Sequence, residues 1–191
     1  MKDGNSDLDA NRWQSGTDLR VADRDEEILA VYTAHVREIF AFCLRRLASV
    51  QLAEDATSTV FLRLVQEYAT VEGRGKQAIR YWLYGTASNA IARHLRDAGR
   101  SQEIAAELIR QKEARVQSDG ARGDPSDWPV LYGAIGKLKR EQQDIVVLRY
   151  FQDLTTSEIA VVLGINHVTV RVYLSRAVKR LKQELGVAFG P

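Results

Sequence analysis

The chain of 191 residues has a single cysteine, Cys43, so no disulfide can form within it. Its three histidines, His35, His94 and His167, stand far apart and share no metal-site spacing. The glycine-rich phosphate loop, the dinucleotide glycine pattern and the Gly-x-Ser-x-Gly elbow are all missing, so neither catalysis nor a cofactor or metal is expected. No run of about 18 apolar residues occurs, which argues against membrane insertion. Residues 1–27 lack the apolar segment of a secretory signal, and with the lone thiol this points to a reducing cytoplasm. Strand-like alternation of polar and apolar residues is absent as well, and the expected fold class is all-α.

What is present is charge, unevenly placed. Residues 1–27 carry four basic and eight acidic side chains, a net −4. The overall +2 therefore leaves +6 on the rest of the chain. An acidic segment ahead of a basic body is the pattern of a protein that meets a polyanion. Residues 1–23 are polar, rich in Gly, Asn, Ser and Asp, and read as a disordered acidic tail.

Helical periodicity begins at Glu26 and runs to Leu47, through Ile28, Leu29, Tyr32, Val36, Ile39, Phe40, Cys43 and Leu44. A second helix places Ala53, Ala56, Val60, Phe61, Leu64, Val65 and Tyr68 on one stripe, and Gly73 and Gly75 then break it. A third, from about Gln77 to Arg96, turns Ile79, Trp82, Leu83, Thr86, Ala90, Ile91 and Leu95 inward. Three such helices can share a core, giving a first domain at 24–98. Gly120, Gly123, Pro125 and Pro129 mark a flexible linker at 99–129, so that the domains are tethered rather than fused. The second domain, 130–187, is expected to hold helices at about 130–138, 140–151, 156–163 and 167–185.

The sharpest local pattern lies in that second domain. Thr155 and Glu158 form a capping box ahead of the apolar run from Ile159 to Leu163. Gly164 ends that helix, and Asn166 can cap the next. The last helix buries Val170, Leu174, Ala177, Val178 and Leu181, and between residues 166 and 185 it has five basic side chains and one acidic one. A short helix, a glycine turn and a one-sided basic helix make the layout of a helix-turn-helix whose second helix enters the DNA major groove. An αα-hairpin with a solvated basic face is the plainer alternative.

Glu158-Ile159-Ala160, Leu163-Gly164, Thr169-Val170-Arg171 and Ser175-Arg176-Ala177 resemble the C-terminal region of extracytoplasmic-function sigma factors. In the first domain, Ala53-Glu54-Asp55 with Val60-Phe61-Leu62-Arg63 resembles the polymerase-binding helix of that family. Trp82-Leu83-Tyr84, Ala87, Asn89-Ala90 and His94-Leu95-Arg96 resemble the helix that reads the downstream promoter element. Ser58 and Thr59 stand where the family often has Gln and Glu, and Arg93 where it often has Asp.

The resemblance implies a non-enzymatic subunit that binds core RNA polymerase and promoter DNA and is held in check by an anti-sigma factor. It points to Glu54, Asp55, Phe61, Leu62 and Arg63 for polymerase. Phe61 stands either as an apolar anchor or as a core residue, and Asp55 either at the interface or as a helix cap. For the downstream element it points to Asn89, Arg93, His94 and Arg96, with Arg74, Lys76 and Arg80 neutralising phosphate around a loop that captures a flipped base. Asn89 has the alternative of a surface amide and His94 that of a core-edge side chain. For the upstream element it points to Arg171, Ser175 and Arg176, with Thr169 and Lys179 toward the backbone. Arg149 matches a phosphate-contacting position, or else makes a surface salt bridge. A stand-alone helix-turn-helix regulator is the rival function. The acidic tail, residues 1–27, is expected to shield the basic surfaces.

Overall fold

The computed structural model describes the backbone of residues 6–97 and 128–188 and the side chains of 23–96 and 130–186. Seven helices lie among the described residues: α1 Ser6–Leu47, α2 Val50–Val71, α3 Lys76–Asp97, α4 Trp128–Gly136, α5 Arg140–Phe151, α6 Thr156–Leu163 and α7 His167–Ala188. No strand occurs among those residues, as the sequence predicts. Most of the expected linker, 99–129, falls outside the described residues.

Helix α1 differs from expectation at its start. It begins at Ser6, within the segment read as disordered. Residues 6–25 contain no proline, and once a helix is nucleated each further residue adds one hydrogen bond at little cost. The first domain is a bundle in which α1, α2 and α3 all touch one another. Ile39, Phe42, Cys43 and Leu47 of α1 meet Ala53, Ala56, Val60 and Leu64 of α2 and Leu83, Ala87 and Ile91 of α3 in its centre. Ala48, with φ of 64°, turns the chain between α1 and α2, and Ser49 caps α2 by accepting from the Leu52 amide at 3.4 Å. The cap is thus Ser49, and Asp55 sits exposed a turn and a half inside the helix.

The second domain closes a smaller core of Tyr132, Ala134, Ile135, Leu138, Val146, Ala177 and Leu181. The expected helix-turn-helix chemistry is in place. Thr155 and Glu158 cap α6 reciprocally, Gly164 adopts φ 64°, and Asn166 Oδ1 accepts from the Val168 amide at 2.8 Å.

The two domains do more than share a tether. Helix α6 lies on α3 and α5 on α1. Ile145, Val147, Leu148, Leu154, Ile159 and Val162 continue the first domain's core without a break. Inside the seam Arg46 Nε meets Asp144 Oδ1 at 2.5 Å, and its Nη1 donates to Gln143 Oε1. Both charged residues are buried, at 4% and 7% exposed. Neither partner is written in a pattern that sequence periodicity can detect, and the tethered reading missed the contact for that reason.

Candidate nucleic-acid and protein interfaces

At 3.6 residues per turn, Arg171, Ser175, Arg176 and Lys179 share one face of α7, and all four are exposed. The opposite face buries Val170, Ala177 and Leu181, which fixes the basic face outward. Thr169 lies at the flank, half-buried. Two residues that the sequence reading passed over, Val168 and Val172, stand on the same outward face, Val168 at 62% exposed. They could have been found as apolar positions that fall off the core stripe. Among the described residues Arg149 has no partner for the surface salt bridge considered for it. Its Nη1 donates to the Leu154 carbonyl at 3.1 Å and holds the turn ahead of α6.

On α3 the expected residues divide. Asn89, Arg93 and Arg96 are exposed on one face, and half-buried Trp82 shares it. Arg80 and His94 fall on the other side of the helix. Arg80 is half-buried. It pairs with Glu38 at 3.4 Å, lies over the Tyr84 ring at 5.4 Å and donates to the Gln152 carbonyl in the second domain. Arg74 and Lys76 are exposed around the turn between α2 and α3, where Gly73 and Gly75 take φ of 73° and 79°. Side chains with a Cβ rarely adopt that conformation, so the glycines set the shape of the turn.

On α2, Glu54, Asp55 and Leu62 share an exposed face, with Leu62 at 61%. Val65, which the periodicity turned inward, is on this outer face too. Phe61 is only 7% exposed and meets Tyr32 edge-on at 4.9 Å between ring centres, so the core reading of this residue holds. Arg63 lies at the side, paired with Glu67 at 2.9 Å.

Comparison with known proteins decides what these surfaces belong to. Residues 31–101 match the family model Sigma-70 region 2, and residues 130–181 match Sigma-70, region 4, in that order and together over well more than half of the chain. The chain belongs to the extracytoplasmic-function sigma factors. Among its relatives is the ECF RNA polymerase sigma factor BldN of Streptomyces coelicolor, 25% identical over 181 residues, covering 94% of this chain and 68% of that protein. Another is the RNA polymerase sigma factor YlaC of Bacillus subtilis, 27% identical, covering 84% of this chain and 92% of that protein. The ECF RNA polymerase sigma factor SigL of Mycobacterium tuberculosis is 27% identical, covering 83% and 90%. The fold is shared with the sigma factor RpoE of Bartonella quintana, solved with the anti-sigma factor NepR, at TM-score 0.62 and 20% identity over 86% of this chain and 98% of that one.

As a sigma factor the chain directs RNA polymerase to particular promoters at transcription initiation, a non-enzymatic role in this family. A stand-alone regulator is not favoured, because the first domain matches a sigma region and not a sensor or dimerisation module. Among the described residues no helix is long and apolar enough to cross a membrane.

Proposed function

We propose that three surfaces divide the work of initiation in this sigma factor. The observation that carries the reading is the outward face of α7, where Arg171, Arg176 and Lys179 stand exposed on a helix anchored by its opposite side. Arg171 and Arg176, with Ser175, read base edges of the upstream element, while Lys179 and Thr169 contact phosphate and Arg149 supports the turn. The α3 face of Asn89, Arg93 and Arg96 handles the downstream element, with half-buried His94 contributing from the other side of the helix. Arg74, Lys76 and Arg80 serve phosphate neutralisation around the glycine turn. The α2 face of Glu54, Asp55 and Leu62, flanked by Arg63 and supported from below by Phe61, docks on core polymerase.

Residues 24–98 act as region 2 and 130–187 as region 4, with 99–129 as the linker between them. The chain works in the cytoplasm without catalysing a reaction. An anti-sigma factor restrains it, a reading supported by the complex in which the Bartonella quintana neighbour was solved.

The test is comigration with core polymerase on size exclusion, wild type beside Asp55→Ala/Leu62→Ala. Both positions are exposed, so the double variant keeps its fold. Weakened comigration with native circular dichroism supports the docking face, and undiminished comigration removes it. For DNA, Lys179→Ala in the polymerase complex is expected to lower the salt dependence of promoter binding by about one unit of slope. Arg171→Ala is expected to cost about 1–3 kcal/mol on the preferred sequence only.

A further inference from the structure

Helix α3 has a glycine at its midpoint that its own backbone does not require. Gly85 lies outside the positive-φ region where glycine is needed, and alanine would stabilise the helix. What requires glycine is the neighbouring domain. A Cβ on Gly85 would stand 2.7 Å from the carbonyl oxygen of Val162 in α6. That oxygen belongs to a helix backbone and cannot swing aside as a side chain would.

Polar contacts surround this close approach. The Tyr81 hydroxyl donates to Glu158 Oε1, and Gln77 Nε2 reaches the same oxygen at 3.4 Å. Tyr84 donates to Gln152 Oε1 at 2.6 Å, Arg80 to the Gln152 carbonyl at 3.4 Å, and Arg140 to the Ala92 carbonyl at 3.3 Å. The contact thus runs most of the length of α3. It also occupies Arg80, one of the side chains assigned above to phosphate.

We propose that the free sigma factor is held closed by a seat centred on Gly85, and that this seat and DNA binding through Arg80 exclude each other. The second half rests on the phosphate role given to Arg80. The first half does not. Closure lowers the apparent DNA affinity by the fraction of molecules that are open, and whatever opens the seat raises it by the same factor. Glu158 gives the seat its sharpness. One carboxylate oxygen starts the helix-turn-helix by accepting from Thr155 and the other accepts from α3, so region 4 is seated through its own capping residue.

The experiment is small-angle scattering of the full chain, with circular dichroism and anisotropy binding to a labelled forked DNA carrying a single-stranded arm. Wild type is expected as one compact particle. Gly85→Ala is expected to keep its helicity, expand, and bind the fork about tenfold more tightly, as an opening equilibrium of that order requires. An equally compact Gly85→Ala protein with native helicity overturns the seat. Expansion without a gain in binding overturns the exclusion. Adding Arg80→Gln to the open variant separates the two halves: a fall in affinity supports the assignment of Arg80, and unchanged affinity removes that assignment while the seat stands on the scattering result. If Gly85→Ala does not fold, Tyr81→Phe/Gln77→Ala strips the Glu158 contacts without adding an atom. The same expansion is expected, and a compact particle with unaltered binding overturns the proposal.

Discussion

Glu158 is held by four donor groups on three residues, Gln77, Tyr81 and Thr155, from two different domains, and its titration reports on all of them. Hydrogen bonds, first from the Tyr81 hydroxyl and then from Thr155, draw its carboxyl down from 4.5 to about 2. A carboxyl depressed in the folded state contributes stability above its unfolded value near 4.5, and that contribution is lost as pH falls toward about 2. Carboxyl-carbon NMR titration is expected to place Glu158 well below the ordinary glutamate value of 4.5, and Tyr81→Phe to move it upward. Cys43 gives a second residue-scale expectation. Burial pushes its thiol up to about 12, against a smaller opposing pull from the hydrogen bond with Thr57. It should therefore ignore a disulfide reagent at pH 8 in the native protein and react on addition of denaturant. The core place of Cys43 was legible from its position on the first apolar stripe. The second role of Glu158 was not, because a capping box explains the residue completely on its own.

The elements were read best where chain chemistry is local. Thr155, Glu158, Gly164 and Asn166 each hold the cap expected of them, since capping depends on residues within one turn. Gly164→Ala would force a Cβ into the left-handed conformation at φ 64° and is expected to destabilise the second domain by about 1 kcal/mol, measured by chemical denaturation. Periodicity served less well for α3 and α5. Each is covered on two sides, α3 by the bundle and by α6, α5 by its own domain and by α1. A helix buried on two faces shows no single stripe, and so fully buried Tyr84 falls outside the inward stripe that spacing defines. On α2 the error ran the other way: Val65 fits the stripe by spacing and is nevertheless exposed beside Leu62. The exposed pair Leu62 and Val65 fits the docking face proposed for α2.

For the whole molecule, the order of two helical domains was legible and their packing was not. The polar contacts of the seam draw on Arg46, Asp144, Gln77, Tyr81 and Gln152, side chains that no local pattern marks as buried partners. Only the fold brings them opposite one another. The shared core also predicts how the chain melts. With Ile145, Leu148 and Ile159 continuous with the first domain, wild type is expected to unfold in one calorimetric transition. Asp144→Ala strands a buried guanidinium, a loss on the order of 3 kcal/mol, and is expected to split that transition into two as the domains uncouple.

Arg46 and its partner Asp144 are 98 residues apart in the chain. During synthesis the three-helix bundle is finished long before the other half of that pair exists. At about 5–20 residues per second, Arg46 waits on the order of 5–20 s for Asp144 to be made. Asp97, the end of α3, precedes Asp144 by 47 residues, so for about 2–9 s of that interval the newborn bundle presents α3 uncovered, Arg80 included. A nascent chain still on the ribosome is thus in the open form, and closure becomes available only when translation of α5 and α6 is complete.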